Sequence, residues 1–249
     1  MTYSLVGKVA LVTGGGGGIG SAICHRLAAE GAFVIVTYNQ SKEKAEQLAG
    51  ELSGKNHLVM QAPVDDGLAQ VKLAEAIHDR YGTLDLLVNN AGITKPVAHH
   101  DLDSLTDDLI DDILRVNVRG TLASIRAMKD LLNSGDGGLI INISSIAART
   151  AVGSNVAYCA SKAAIDNITM SLARALAPKI RVVSVAPGWV NGDYAQRMPA
   201  EILQQQSDLT PLGRIAEAED VADAVYAVAT QLTFTTGAII PVDGGRPLT

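Results

Sequence analysis

Cysteine is nearly absent. The 249 residues contain two, Cys24 and Cys159, far apart and with neither the spacing of a metal site nor the density of a disulfide framework. That usage fits a reducing compartment. Both are expected within helices, with Cys159 a small packing residue rather than a reactive thiol. No uninterrupted apolar run reaches the roughly 18 residues of a membrane-spanning helix, and Met1 to Lys8 has no apolar signal-peptide core. The expectation is a cytoplasmic protein with no membrane partner. Positive charge is outnumbered, with 20 Lys and Arg against 26 Asp and Glu and a net charge of -6. This argues against nucleic acid and leaves no polybasic patch. Linker-like Pro/Ser stretches, repeats and low-complexity tracts are missing, one glycine run apart. With 47% hydrophobic residues the chain can bury a substantial core, and residues 1–249 read as one domain.

What is present centres on Ser145 to Lys162. Leu139 to Ile143 is an apolar run that reads as a buried strand ending in Ser144 and Ser145. Thirteen residues after Ser145 comes Tyr158, and four later Lys162. The segment from Ala157 to Ala177 is rich in Ala, Leu and Ile without internal Pro or Gly, so it reads as a helix. The i, i+4 spacing then puts the phenol and the ammonium on one face, one turn apart. A free tyrosine titrates near 10; a neighbouring cation lowers that value and makes the pair a plausible general acid and base for a carbonyl/alcohol couple. A serine hydroxyl facing it can orient the substrate oxygen. Alone, Y-x-x-x-K is a weak pattern that also fits a surface aromatic and a solvated charge, so the weight comes from the rest of the chain.

Lys8 to Thr13 reads as a first buried strand. Gly14 to Gly18 are consecutive glycines, followed by Ile19, Gly20 and a helical pattern to Glu30. Strand, glycine turn and helix form a phosphate-binding unit, with backbone N–H groups at the helix start meeting a pyrophosphate. A P-loop is excluded because no Gly-Lys-Ser/Thr follows. Phe33 to Thr37 reads as strand two, with a helix from Ser41, its N-cap, to Leu52. The strand ends in Tyr38-Asn39-Gln40-Ser41-Lys42. It lacks the carboxylate that would bind the adenosine ribose and repel a 2′-phosphate, which favours NADP(H) with NAD(H) possible. Further strands are expected at 57–61, 84–88, 139–143, 180–186 and 237–241. Helices are expected at 66–81, about 105–132 with Asn117 in the middle, and 217–231, with a short one at 199–206. This alternation predicts an α/β doubly wound Rossmann fold.

With these landmarks in order, the chain resembles the short-chain dehydrogenase/reductase family along nearly its whole length. T-G-x-x-x-G-x-G spans 13–20, N-N-A-G 89–92, then come Asn117, Ser145, Y-x-x-x-K at 158–162, P-G at 187–188 and T-G-x-x-x-x-V-D-G-G at 236–245. It is most similar to the 3-oxoacyl-(acyl carrier protein) reductase branch. The resemblance implies a seven-stranded, mainly parallel sheet of order 3-2-1-4-5-6-7. It implies a carbonyl/secondary-alcohol oxidoreductase using NAD(P)(H), with Tyr158, Lys162, Ser145 and Asn117 catalytic. Asn117 would support a proton-relay water by deforming its helix. It further implies that Gly14, Gly16, Gly17, Gly18, Ile19 and Gly20 cradle the pyrophosphate. Tyr38 and Asn39 would lie beside the ribose, Val64 beside the adenine, Asn90, Ala91 and Gly92 along the cofactor, and Pro187, Gly188 and Val190 around the nicotinamide. A homotetramer is implied, with the helices around 105–132 and 155–177 in one interface and the C-terminal strand in another.

Departures from the family pattern shape the expectations. Pro63 stands where an Asp is usual before Val64, and Gly17 where the NADP-using branch often has Arg or Ser. Gly192 and Asp193 stand where a Thr is expected after P-G. Residues 133–138 carry no Lys or Arg, which argues against docking of an acidic acyl carrier protein. His99-His100 read as a loop near the substrate entrance rather than a metal site, and no metal is expected. Trp189 is either a pocket wall or a packing residue. The acidic cluster from Asp101 to Asp112 reads as a solvated helix start. The competing functions are an NAD(H)-dependent dehydrogenase of a small alcohol, polyol or sugar derivative, and a non-catalytic dinucleotide-binding regulator.

Overall fold

The computed structural model describes residues 3–192 and 195–248. Seven strands form one sheet: β1 (Val9–Val12), β2 (Phe33–Tyr38), β3 (Leu58–Gln61), β4 (Leu86–Asn89), β5 (Gly138–Ile143), β6 (Ile180–Pro187) and β7 (Ile239–Val242). Their order is β3-β2-β1-β4-β5-β6-β7. Every neighbouring pair is parallel, so the expected order holds and "mainly parallel" becomes wholly parallel.

Parallel strands need covered faces, and their alternating side chains sort onto two helix layers. Val12, Val36, Val88, Ile141 and Val183 pack on one face against helices α1 (Gly18–Ala29), α2 (Lys42–Glu51) and α9 (Ala218–Thr230), through Ile23, Leu48 and Val225 among others. Leu11, Ile35, Leu87, Ile140 and Val182 fill the other face against α3 (Gly67–Tyr81), α5 (Thr121–Ser134) and α7 (Val156–Leu176). β1 pairs with β2 on one side and β4 on the other, so the winding reverses between β1 and β4. A crevice opens at the carboxyl ends of the strands there, where α/β sheets bind ligands.

Three sequence expectations are corrected. The helix expected over 105–132 is divided into α4 (Asp107–Leu114), a π-helical turn Arg115–Gly120 and α5. At that turn Thr121 Oγ1 donates to the Asn117 carbonyl at 2.8 Å, and a Cβ on Gly120 would lie 2.7 Å from Val64 Cγ2. The helix is widened where the β3–α3 loop presses on it, as π-turns at functional sites often are. The last strand starts at Ile239 rather than Gly237, because Gly237 takes φ +72° in the entering turn. Ser41 precedes α2 as expected, but its hydroxyl makes no cap bond. Asp66, by contrast, caps α3 by accepting from the Leu68 and Ala69 amides. The two short helices α6 (Ala147–Thr150) and α8 (Ala200–Asp208) flank the crevice. No described helix is long and apolar enough to cross a membrane.

Leu87 lies in the middle of β4 and is fully buried. Leu87→Ala should lower the unfolding free energy by about 3 kcal/mol in urea titration. Leu68→Ala, at a side chain 76% exposed on α3, should change it by less than about 0.5 kcal/mol.

Candidate active site

The crevice is a cleft of about 1140 Å³, and its first wall is the turn after β1. Gly14 has φ +64°, a left-handed conformation that favours glycine. A Cβ on Gly20 would sit 2.5 Å from the Gly14 carbonyl oxygen and 2.7 Å from Asn90 Nδ2, so helix and turn close only without a side chain there. α1 begins at Gly18 with no side-chain cap, and a Cβ on Gly18 would meet open space. The first amides of α1 therefore face the cleft uncapped, a ready anion site. Gly14, Gly17, Gly18, Ile19 and Gly20 line it. Gly16 does not; its nearest neighbour is Ala45 on α2, 3.7 Å from where its Cβ would be.

Thr13 and Asn90 brace this wall. Thr13 Oγ1 accepts from the Asn90 and Ala91 amides at 3.0 and 3.1 Å. Asn90 Nδ2 donates to the carbonyls of Thr13 and Gly14 at 3.0 and 3.2 Å. Tyr38, Asn39 and Val64 line one end of the cleft, Asn90, Ala91 and Gly92 its middle, and Pro187, Gly188 and Val190 the far wall. Asp193 lies outside the described residues. Trp189 lines the cleft, which decides the pocket reading for it. The nearest cation after β2, Lys42, pairs with Glu46 at 3.6 Å.

The opposite wall comes from β5 and α7. Asn155 caps α7, accepting from the Tyr158 amide at 2.7 Å and donating to the Lys95 carbonyl at 2.8 Å. That fixes the first turn and aims Tyr158 into the cleft beside Ser145 and Lys162. Lys162 is 7% exposed. Its Nζ donates to the Ile143 carbonyl at 2.7 Å and stands 5.7 Å from the Tyr158 ring centroid. Burial pulls the Lys162 pKa down from 10.5 to about 8, against the opposing pull of Asp166. Ser145 Oγ accepts from the Ala147 amide at 3.1 Å, which fixes its hydroxyl at the cleft.

Asn117 does not line the cleft. It is buried behind the wall, where its Oδ1 accepts from the Ile93 amide at 2.8 Å. Its Nδ2 donates to the Ile93 carbonyl and to Ser161 Oγ, each at 3.1 Å. Ser161 Oγ in turn donates to the Tyr158 carbonyl at 2.7 Å. Asn117 thus joins the π-turn to the loop after β4 and to α7. Thr13 heads the T-G-x-x-x-G-x-G motif, but its bracing of Asn90 and Ala91 was not read from it, and Asn155 and Ser161 escaped the sequence reading. Of those two, Asn155 had a signal, an N-cap residue just before a helix. His99 bonds the Gly153 carbonyl at 3.1 Å, and no group of His, Cys, Asp or Glu among the described residues could hold a metal. Cys159 is buried, with its pKa raised by desolvation, as a packing thiol should be.

The fold and the site define a Rossmann-type oxidoreductase. A family model described as enoyl-(acyl carrier protein) reductase matches residues 14–246. A ketoacyl reductase assigned to the granaticin polyketide synthase of Streptomyces violaceoruber is 39% identical over 243 residues, covering 96% of each chain. The 3-oxoacyl-[acyl-carrier-protein] reductase of Aquifex aeolicus is 36% identical, over 98% of this chain and 99% of its own. Among solved structures, a short-chain dehydrogenase from Burkholderia cenocepacia in complex with NADP superposes with a TM-score of 0.90 at 36% identity, over 98% of this chain and all of the other. The chain belongs to the short-chain dehydrogenase/reductase family.

The lowered Lys162 pKa has a consequence for stability. The unfolded chain holds the lysine proton up to pH 10.5 while the folded chain releases it near 8, so stability rises with pH between those values. Lys162→Met should therefore lose this rise. The parent's urea midpoint should climb between pH 8 and 10.5, and that of Lys162→Met should climb less or not at all.

Proposed function

We propose that this protein is an NADP(H)-dependent reductase that converts the ketone of a 3-oxoacyl thioester to a secondary alcohol. The observation that carries the reading is the buried Lys162 Nζ, 5.7 Å from the Tyr158 ring, in a cleft whose other end is an uncapped helix start. The residues fit a dinucleotide. The amides of Gly18, Ile19 and Gly20 would meet its pyrophosphate, Tyr38 and Asn39 its ribose and Val64 its adenine. Asn90, Ala91 and Gly92 would run along it, and Pro187, Gly188 and Val190 would frame its nicotinamide. When bound, such a cofactor supplies the hydride.

The chain's own groups supply the rest. Tyr158 carries the proton that the substrate oxygen takes up on reduction. Lys162, whose Nζ stands 5.7 Å from the Tyr158 ring, would as a cation favour the phenolate and would help hold the cofactor ribose. Ser145 donates a hydrogen bond that sets the substrate oxygen beside the phenol. Asn117 acts from behind, through Ile93 and Ser161.

The substrate class is supported by the names of the Streptomyces and Aquifex relatives. The cofactor is supported by the NADP of the Burkholderia structure and by the lack of a carboxylate at Tyr38 to Lys42. One observation favours a second reading, an NAD(H)-dependent dehydrogenase of a small alcohol or polyol: the first cation after β2, Lys42, lies in an exposed pair with Glu46.

With an acetoacetyl thioester and NADPH, Tyr158→Phe should lose at least about 100-fold in turnover while nicotinamide fluorescence shows cofactor binding within about twofold of the parent. Retained turnover would rule out the acid–base assignment. NADPH should bind at least about tenfold tighter than NADH, a difference of about 1.4 kcal/mol. The reverse order would transfer the argument to the second reading.

A further inference from the structure

One buried titratable group has no part in the chemistry above. Asp166 lies on α7 one turn beyond Lys162 and two beyond Tyr158, so the three share a helix face. It is 8% exposed, in surroundings where a carboxylate is costly unless something compensates it. Its Oδ1 is buried without a hydrogen-bond partner among the described residues, and of the groups that favour its charged form the Ser144 hydroxyl comes first, followed by Arg149 and Lys162. The charges that face it are Lys162 on its own helix and Arg149 from α6; from β6 and the end of β5 come only the hydroxyls of Ser184 and Ser144. Ser144 Oγ also donates to the Lys162 carbonyl at 3.3 Å.

We infer that Asp166 is a positioning residue for the reaction: its buried carboxylate, one turn from Lys162 on the same helix face, favours an ammonium rather than a neutral amine beside the Ile143 carbonyl and Tyr158. The inference rests on the assignment of Tyr158 and Lys162 proposed above. Burial acts on the two partners in opposite senses, pulling Lys162 down to about 8 and pushing Asp166 up, and each charge opposes the shift of the other. Without the carboxylate, desolvation would act on Lys162 unopposed. The amine would then lose its proton at a lower pH, and the phenol would lose its cation.

Asp166→Asn keeps the side-chain volume and removes the charge. In wild type the alkaline limb of the reductase pH profile is expected where Lys162 deprotonates, and in Asp166→Asn it should fall about one pH unit lower. Activity should stay within about threefold of the parent at pH 6 and drop about tenfold at pH 8.5. Asp166→Glu should restore the limb. In the cofactor-free protein, the lysine signal that disappears in Lys162→Met should titrate lower in Asp166→Asn by NMR. A limb and a lysine titration unchanged from the parent, or a loss uniform across pH, would overturn the inference. Should Asp166→Asn not fold, Asp166→Ser removes the same charge with a smaller side chain. Its alkaline limb should also fall about one pH unit lower, and an unmoved limb would overturn the inference equally. Tyr158→Phe run beside these variants separates the two ideas. Full turnover there defeats the acid–base reading itself, whereas lost turnover with an unshifted Asp166→Asn profile defeats the role of Asp166 alone.

Discussion

A lysine ammonium held out of water is the constraint on which this structure depends. Burial of Lys162 opposes its charge, and the fold tolerates that charge because the Ile143 carbonyl accepts from Nζ at 2.7 Å. That carbonyl is free to do so because Ile143 is the last residue of β5, where the ladder no longer needs it. The same strand end delivers Ser144 and Ser145 into the turn that follows. α7 must return across the end of the sheet at the one height that puts Nζ against Ile143 and the Tyr158 ring above it. The Asn155 cap sets that height by pinning the Tyr158 amide at 2.7 Å.

A wholly parallel sheet makes this arrangement possible at modest cost. Every strand runs the same way, so β1, β4, β5 and β6 all end at one edge. The glycine turn, the Asn90 brace, the serines and Pro187 meet there although they are scattered through the sequence. The two core layers are separate, each built from alternate residues of the same strands. The edge can therefore carry polar groups without interrupting the packing beneath it.

Much of this was legible in the sequence because the signals were local. The apolar strands, the glycine run at 14–18 and the i, i+4 pairing of Tyr158 with Lys162 each depend on a few neighbouring residues. The brace of Thr13 on Asn90 and Ala91 joins positions more than seventy residues apart, and a hydroxyl before a glycine run carries no mark of that use. Within a run of five glycines the sequence does not say which residues line the cleft: Gly14, Gly17 and Gly18 do, while a Cβ on Gly16 would face Ala45. The break in the helix over 105–132 had only a weak local signal, Val116, Asn117, Val118 and Gly120 being poorer helix formers than their neighbours; it was the resemblance, through Asn117, that implied a deformed helix there.

That break joins the two ends of the cleft. On one side of the π-turn, Gly120 admits Val64 at a distance no side chain would allow, and Arg115 forms an ion pair with Asp65. On the other side, Asn117 holds Ile93 and Ser161, and Ser161 donates to the carbonyl of Tyr158. A regular α-helical turn holds one residue fewer and could not present Gly120 to the β3–α3 loop and Asn117 to α7 together. The irregularity is thus what lets one helix fix the Val64 end of the cleft and the Tyr158 end at once. It also explains why Asn117, which lines no part of the cleft, is buried and fully engaged. Its work is to hold the backbone on which the lining residues stand.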